Sequence, residues 1–288
     1  MSLQVKWGLR TKAELLKTSK TIQGGVSEET EAKLRYQMCY FISQVCQNDK
    51  LSMRQYTIAI ATVLFNRFFT RHSMMDKGVD LYVIATACIL LGGKMGENPK
   101  PIRDIVHCSW AFRYRKAGSQ SALKQLQTNE EYFKRVKEAV LVAERSLLYT
   151  LGFDFEVKLP YDFLVKCFEK DGLGLEPPEQ SQECSQLAWN FVNESLRTTL
   201  LLQYPAERIS HAAVWLACKF LRKTPDKNNR LWRAIEQDTA VLQDICGQIL
   251  DLFEGGDEKK EAIFGASLSP APPAPSGVPP ALPPSPAA

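Results

Sequence analysis

Three histidines, eight cysteines and one Gly-Gly-Lys step are the residues of this 288-residue sequence with the most obvious chemical potential. His72, His107 and His211 stand far apart, and no His-Glu-x-x-His or other zinc-ligand spacing occurs. The cysteines (Cys39, Cys46, Cys88, Cys108, Cys167, Cys184, Cys218 and Cys246) form no Cys-x-x-Cys step. Most fall among apolar residues, where a free thiol packs as a small hydrophobe, so they read as reduced, buried thiols of an intracellular protein. No Gly-x-Ser-x-Gly nucleophile elbow is present. Gly92-Gly93-Lys94 ends an apolar helical run, whereas phosphate binding needs a glycine loop that opens a helix and turns backbone N–H groups on the anion. The residues therefore predict no catalytic group, no metal site, and no cofactor or small-molecule ligand.

Two charged residues sit oddly on apolar helices. Lys94 closes its helix, which suits the negative end of the macrodipole. Glu144 follows Val140 by four and precedes Leu148 by four, beside an apolar stripe of Val136, Val140, Ala143, Leu147 and Leu151. A carboxylate at that margin is either paired at the rim of the core or held for a partner. Spacing alone favours rim pairing.

The elements that carry these residues are helices throughout. Asp, Asn, Ser and Thr caps and Pro/Gly breaks separate segments of helical period, and Val/Ile/Thr runs of period two are missing. The pattern predicts helices over 27–47, 52–70, 77–94, 102–107, 129–151, 161–170, 180–202, 206–222, 230–236 and 240–253, with a long polar loop over 109–128. IATACILLGGK (84–94) and ISHAAVWLACK (209–219) align without a gap, 125 residues apart, sharing Ile, Ala87 with Ala212, Leu91 with Leu216, and the closing Lys. Both are rich in small residues on more than one face, as in a helix wrapped closely by neighbours. Glycine inside a helix costs about 1 kcal/mol relative to alanine; the position of Gly92 and Gly93 at the helix end relieves part of it, and close approach by another backbone would offset the rest. A buried His211 on the second of these helices reads as a hydrogen-bonded core histidine.

Composition bounds the rest. The chain is 45% hydrophobic and 24% charged, with a net charge of only +4, too small and too scattered for a nucleic-acid surface. The residues before 11 hold no secretory apolar region, and the longest apolar run, near 82–93, is far short of the roughly 20 residues that span a bilayer. From 266 onward the chain is Pro, Ala, Ser and Gly with three apolar exceptions, nine of its sixteen prolines and no charge, the composition of an extended, disordered tail.

On these residues the sequence is identified as a member of the transcriptional cyclins, resembling the cyclin K and cyclin T types. TIAIATVLFNRFF (57–69), YVIATACILLGGKMGENPKPIRDIV (82–106) and LVAERSLLYTLGFDFEVKLPYDFLV (141–165) resemble a first cyclin box. WNFVNESLRTTLLLQ (189–203), ISHAAVWLACKFL (209–221) and LQDICGQILDLFE (242–254) resemble a second. The resemblance implies an all-α cyclin fold of two five-helix repeats, each built on a central third helix. It divides the chain into an N-terminal arm (1–26), a first box (27–157), a second box (158–264) and a disordered Pro/Ala-rich tail (265–288). It further implies a nuclear, non-enzymatic regulatory subunit. Its partner would be a cyclin-dependent kinase catalytic subunit, bound as a heterodimer, with the RNA polymerase II C-terminal repeats as substrate of the complex. Lys94 and Glu144 match the family's lysine and glutamate that grip the kinase, and Phe153 matches its aromatic that packs on the same kinase helix.

The departures are local. The family's third helix usually ends Lys-Val-Glu-Glu, where this sequence has Lys94-Met95-Gly96-Glu97, and Trp232 stands where many relatives carry two tryptophans. Arg35 occupies the place of the cell-cycle cyclins' substrate-docking arginine, but its surroundings, Leu34 to Met38, do not match that motif, so no such docking is expected. Two alternative readings share the fold. A cyclin L-like regulator of a splicing-linked kinase would carry an Arg/Ser-rich tail. A TFIIB-like DNA-binding factor would carry an N-terminal zinc ribbon and a basic face.

Overall fold

The computed structural model describes residues 7–115, 120–169, 172–175 and 178–253. The Pro-rich tail expected over 265–288, and the first six residues of the arm, lie outside them. Every regular element among the described residues is helical.

Two short helices, α1 (Lys12–Thr18) and α2 (Lys20–Gln23), fold within the N-terminal arm. A capping box starts α1: Thr11 accepts from the Glu14 backbone N–H, and Glu14 reaches back to the Thr11 N–H. The first repeat comprises α3 (Glu28–Cys46), α4 (Gln55–Phe68), α5 (Leu81–Met95), α6 (Ile102–Arg113) and α8 (Glu130–Leu151), with an additional α7 (Gln120–Thr128). The second comprises α9 (Tyr161–Phe168), α10 (Pro178–Ser195), α12 (Ala206–Phe220), α13 (Arg230–Glu236) and α14 (Thr239–Leu250), with a one-turn α11 (Leu200–Gln203). Polar caps set the starts: Ser27 caps α3, Asp80 caps α5 through the Tyr82 and Val83 N–H groups, and Asn129 caps α8.

The central helices behave as their small residues require. Every residue from Ile84 to Gly93 on α5 is buried, and α12 buries Ile209 to Val214 and Leu216 to Cys218. A Cβ on Gly92 would lie 2.9 Å from Ala61 Cβ and 3.1 Å from the Ala61 Cα and N, so α4 and α5 touch backbone to backbone. That contact explains why glycine is tolerated there. It also sets up a contrast. Gly247, on α14, has nothing within 4 Å of its virtual Cβ. Gly247→Ala is expected to raise stability by up to about 1 kcal/mol through helix propensity. Gly92→Ala gains the same propensity and forces the helices apart, a cost of about 1–3 kcal/mol. Urea denaturation of the two variants should therefore move in opposite directions.

Several helix ends differ from the periodicity reading by up to four residues, and three departures are larger. α6 continues to Arg113, because Ser109 and Trp110 are buried against the body of the repeat. Within the supposed polar loop, α7 forms on the single deep anchor Leu126, too little apolar surface for a period to stand out. The helix expected over 180–202 breaks after Ser195. There Ser195 Oγ donates to the Val192 carbonyl, Thr198 Oγ1 donates to the Ser195 carbonyl, and Asn66 Nδ2 takes the carbonyls of Leu196 and Thr198 at 3.0 Å each. Side chains thus satisfy carbonyls that a continuing helix would have used.

The same Asn66 ties the repeats together. Arg35 Nη1 donates to Asn66 Oδ1 at 3.1 Å, and Arg35 Nη2 meets Glu31 Oε1 at 2.6 Å. Arg35 is 4% exposed, its guanidinium committed inside the fold. Gln55 adds bonds to Tyr161 and Asn193, and Arg197 Nη1 donates to Tyr36 Oη. All eight cysteines are free and buried. Burial pushes the Cys39 thiol up to about 12, so it stays protonated.

Candidate functional site

Helices α5 and α8 pack against each other and bring the two odd charges into contact. Lys94 Nζ lies 2.7 Å from Glu144 Oε1. The lysine side chain is 53% exposed and the glutamate 10%, so the carboxylate lies in the rim of the core and the ammonium stands over it, facing water. The rim pairing that spacing favoured is present, between these two residues. A pair with one half exposed contributes at most about 1 kcal/mol to folding. Its other property is directional: the lysine has free donor capacity and the carboxylate a second oxygen at the edge of an apolar surface.

The end of α8 presents a different chemistry. Gly152 takes the left-handed conformation that closes the helix, φ 61°, and Phe153 follows with φ 58°. A left-handed residue with a Cβ costs about 1–2 kcal/mol; the turn bonds from Phe153 N to the Leu148 carbonyl and from Asp154 N to the Leu151 carbonyl offset part of it, while the Phe153 ring, 57% exposed, adds little burial. Tyr149, 76% exposed, meets that ring edge-on at 6.3 Å, and Phe155 meets it edge-on at 6.1 Å. Lys94 and Glu144 are in contact. Phe153 lies nine residues beyond Glu144, past the end of α8, and no hydrogen bond or ion pair among the described residues joins it to the pair. Tyr149 and Phe155 were not singled out from sequence. The period-two step from Phe153 to Phe155, in the short extended piece after α8, was the available signal.

The other candidates for chemistry disperse. His72 Nε2 sits 2.8 Å from Thr150 Oγ1, with its ring stacked on Phe68. His107 stacks on Phe133. The expected hydrogen-bonded core histidine is not found at His211, whose buried Nδ1 has no hydrogen-bond partner among the described residues, although the charges of Glu207 and Arg208 act on the ring. No group of three or more metal-ligating side chains occurs among the described residues. No described helix is long and apolar enough to cross a membrane.

Desolvation lowers the pKa of all three histidines below the usual range. A histidine harder to protonate when folded leaves the unfolded chain binding more protons, so stability falls as pH drops through about 6.5. The three shifts share one sign. The urea midpoint is expected to be lower at about pH 5.5 than at about pH 7.5, with a flatter dependence in His72→Gln/His211→Gln. A midpoint that rises on acidification would contradict this.

Fold and site together define a two-repeat, all-helical protein with a charged rim pair and an exposed aromatic edge on its first half. The profile of the family described as Cyclin, N-terminal domain, matches residues 6–156. The chain belongs to the cyclin family. It is 34% identical over 247 residues to Cyclin-T1-3 of Oryza sativa subsp. japonica, covering 85% of this chain and 48% of that protein. It is 36% identical over 256 residues to Cyclin-K of Homo sapiens, covering 86% and 41%. It thus spans about half the length of these relatives. Among solved structures, a chain of the yeast RNA Pol II CTD kinase CTDK-1 complex shares the fold at a TM-score of 0.66 and 18% identity, over 87% of this chain and 74% of that one. A chain of the Chaetomium thermophilum CAK complex does so at 0.60 and 18%, over 93% and 84%.

Proposed function

We propose that this chain is the regulatory subunit of a transcriptional cyclin-dependent kinase. It binds and activates the catalytic subunit in the nucleus and promotes phosphorylation of the RNA polymerase II C-terminal repeats. The observation that carries this reading is the pairing of Lys94 with Glu144 at 2.7 Å in a chain that also exposes the Phe153 ring. Membership in the cyclin family supports it, as does likeness to the T and K types, and we take 27–157 and 158–264 as the two boxes.

The physical mechanism is a shift of equilibrium. A kinase is active when its β3 lysine–αC glutamate ion pair and activation loop are both in place. A surface that binds the αC helix only in its inward position stabilises the active state by its differential affinity. Lys94 and Glu144 supply the hydrogen bonds of that surface, and Phe153, with its aromatic neighbours, supplies the apolar area. The chain itself contributes no catalytic group.

The test is purification of the tagged full chain with a panel of recombinant cyclin-dependent kinases, followed by assay on a polymerase C-terminal repeat peptide. At least one kinase is expected to co-purify and to gain activity on that peptide. A chain that binds none, or binds one without raising its activity, would overturn the reading. A salt-sensitive complex with duplex DNA instead would favour a TFIIB-like factor.

A further inference from the structure

The aromatic edge is held in a conformation that its own residues do not favour. Phe153 carries a positive φ, and Phe153 and Phe155 both expose their rings. Such an arrangement persists only where the surroundings over-determine it. Turn hydrogen bonds within 148–156 shape the segment, but they do not attach it to the body of the protein.

The attachments come from the arm and from the end of α4. Trp7 Nε1 donates to the carbonyl of Leu151 at 3.3 Å, one residue before the left-handed pair. Arg67 Nη2 donates to the carbonyl of Glu156 at 2.9 Å, one residue after Phe155. The two are linked to each other: the guanidinium groups of Arg67 and Arg71 lie 5.6 and 4.8 Å from the centre of the Trp7 ring. The segment bearing Phe153 and Phe155 is therefore fastened at both ends by one cluster.

Arg67 is an uneconomical residue for stability alone. Its Nε and Nη1 are buried without a hydrogen-bond partner, no ion pair to it is formed among the described residues, and burial depresses its pKa against the weaker opposing pull of the Asp154 and Glu156 charges. Removing such a group altogether is close to neutral for folding, because its desolvation penalty goes with it. The Glu156 carbonyl it leaves belongs to an exposed residue and can bond water.

We propose that Trp7 and Arg67 are positioning residues that hold the 152–156 segment so that Phe153 and Phe155 meet the kinase in a single arrangement. This rests on the kinase-binding reading given above. The test uses the full chain and the kinase that the wild type activates, with Arg67→Met and Trp7→Phe each made alone and combined with Phe153→Ala. Thermal unfolding of Arg67→Met is expected to be unchanged or raised. Its affinity for the kinase should fall about tenfold, and Trp7→Phe, which keeps the ring and loses the N–H, about threefold. In the Phe153→Ala background both losses should shrink toward none, since the ring they position is gone.

Wild-type affinity in both variants would overturn the inference. So would equal losses with and without Phe153, which mark a general structural effect. If Arg67→Met fails to fold, the same cycle on Trp7→Phe decides. If Phe153→Ala itself leaves affinity untouched, the aromatic edge is not the contact and the kinase-binding assignment of Phe153 falls with the inference. A loss at Phe153 without loss at Trp7 or Arg67 removes the inference alone.

Discussion

Exchanging the two charges, Lys94→Glu with Glu144→Lys, is expected to abolish kinase activation while leaving the protein folded. The exchange retains an ion pair across α5 and α8, so the intramolecular contact at 2.7 Å has a substitute. What changes is the sign of each charge shown to a partner. Misplaced like charges at a desolvated contact cost about 2–5 kcal/mol or more, a loss of roughly thirtyfold to several thousandfold in affinity. Folding should suffer far less. A glutamate at the C-terminal end of α5 opposes the macrodipole by about 0.3–1 kcal/mol, and a pair with one half exposed contributes at most about as much. Circular dichroism and thermal unfolding measure the second effect, and kinase activity on the C-terminal repeat peptide measures the first. Full activation by the exchanged variant would mean that the pair is a structural rim contact and nothing more.

Phe153→Gly should move stability and binding in opposite directions. Glycine takes a φ of 58° without the Cβ penalty, and the exposed ring has little buried surface to lose. Folding is expected to be unchanged or stabilised by up to about 1 kcal/mol, the strain relieved being offset by glycine's greater freedom in the unfolded chain. If the ring is an anchor at the interface, its removal should cost about 2 kcal/mol or more of kinase binding, roughly thirtyfold. Calorimetric titration and a denaturation curve on the same sample give both numbers. A variant that loses stability and keeps affinity would reverse the assignment, making Phe153 a structural residue.

Both predictions concern residues that the sequence picked out, and they were legible for different reasons. Lys94 and Glu144 stand out because charges are rare beside long apolar stripes, and the motif match adds a role. Their contact is a tertiary fact, 50 residues apart in sequence, and depends on how α8 lies along α5. Phe153 was legible by motif alone. Its exposed ring and left-handed backbone, and the flanking Tyr149 and Phe155, depend on how α8 terminates. Trp7 and Arg67 gave no sign, because nothing in a local window relates an N-terminal tryptophan to a segment 144 residues later.

What the sequence determined by itself is whatever follows from local pattern. Helical period and polar caps specify α3, α5, α8 and α13 within a few residues, and the small residues of 84–94 and 209–219 specify two wrapped central helices. Gly92 is the sharpest case, since its missing Cβ pointed to a close backbone neighbour, which tertiary structure supplies as Ala61. Tertiary structure decided what local pattern leaves balanced. α7 has too little apolar surface to declare itself and forms because Leu126 finds a site in the core. The helix after 180 breaks at Ser195 because Asn66, far away in the other repeat, takes two of the carbonyls that follow. The Lys94–Glu144 contact belongs to the same class. Periodicity places each charge on its own helix, and only the packing of α5 against α8 places one on the other.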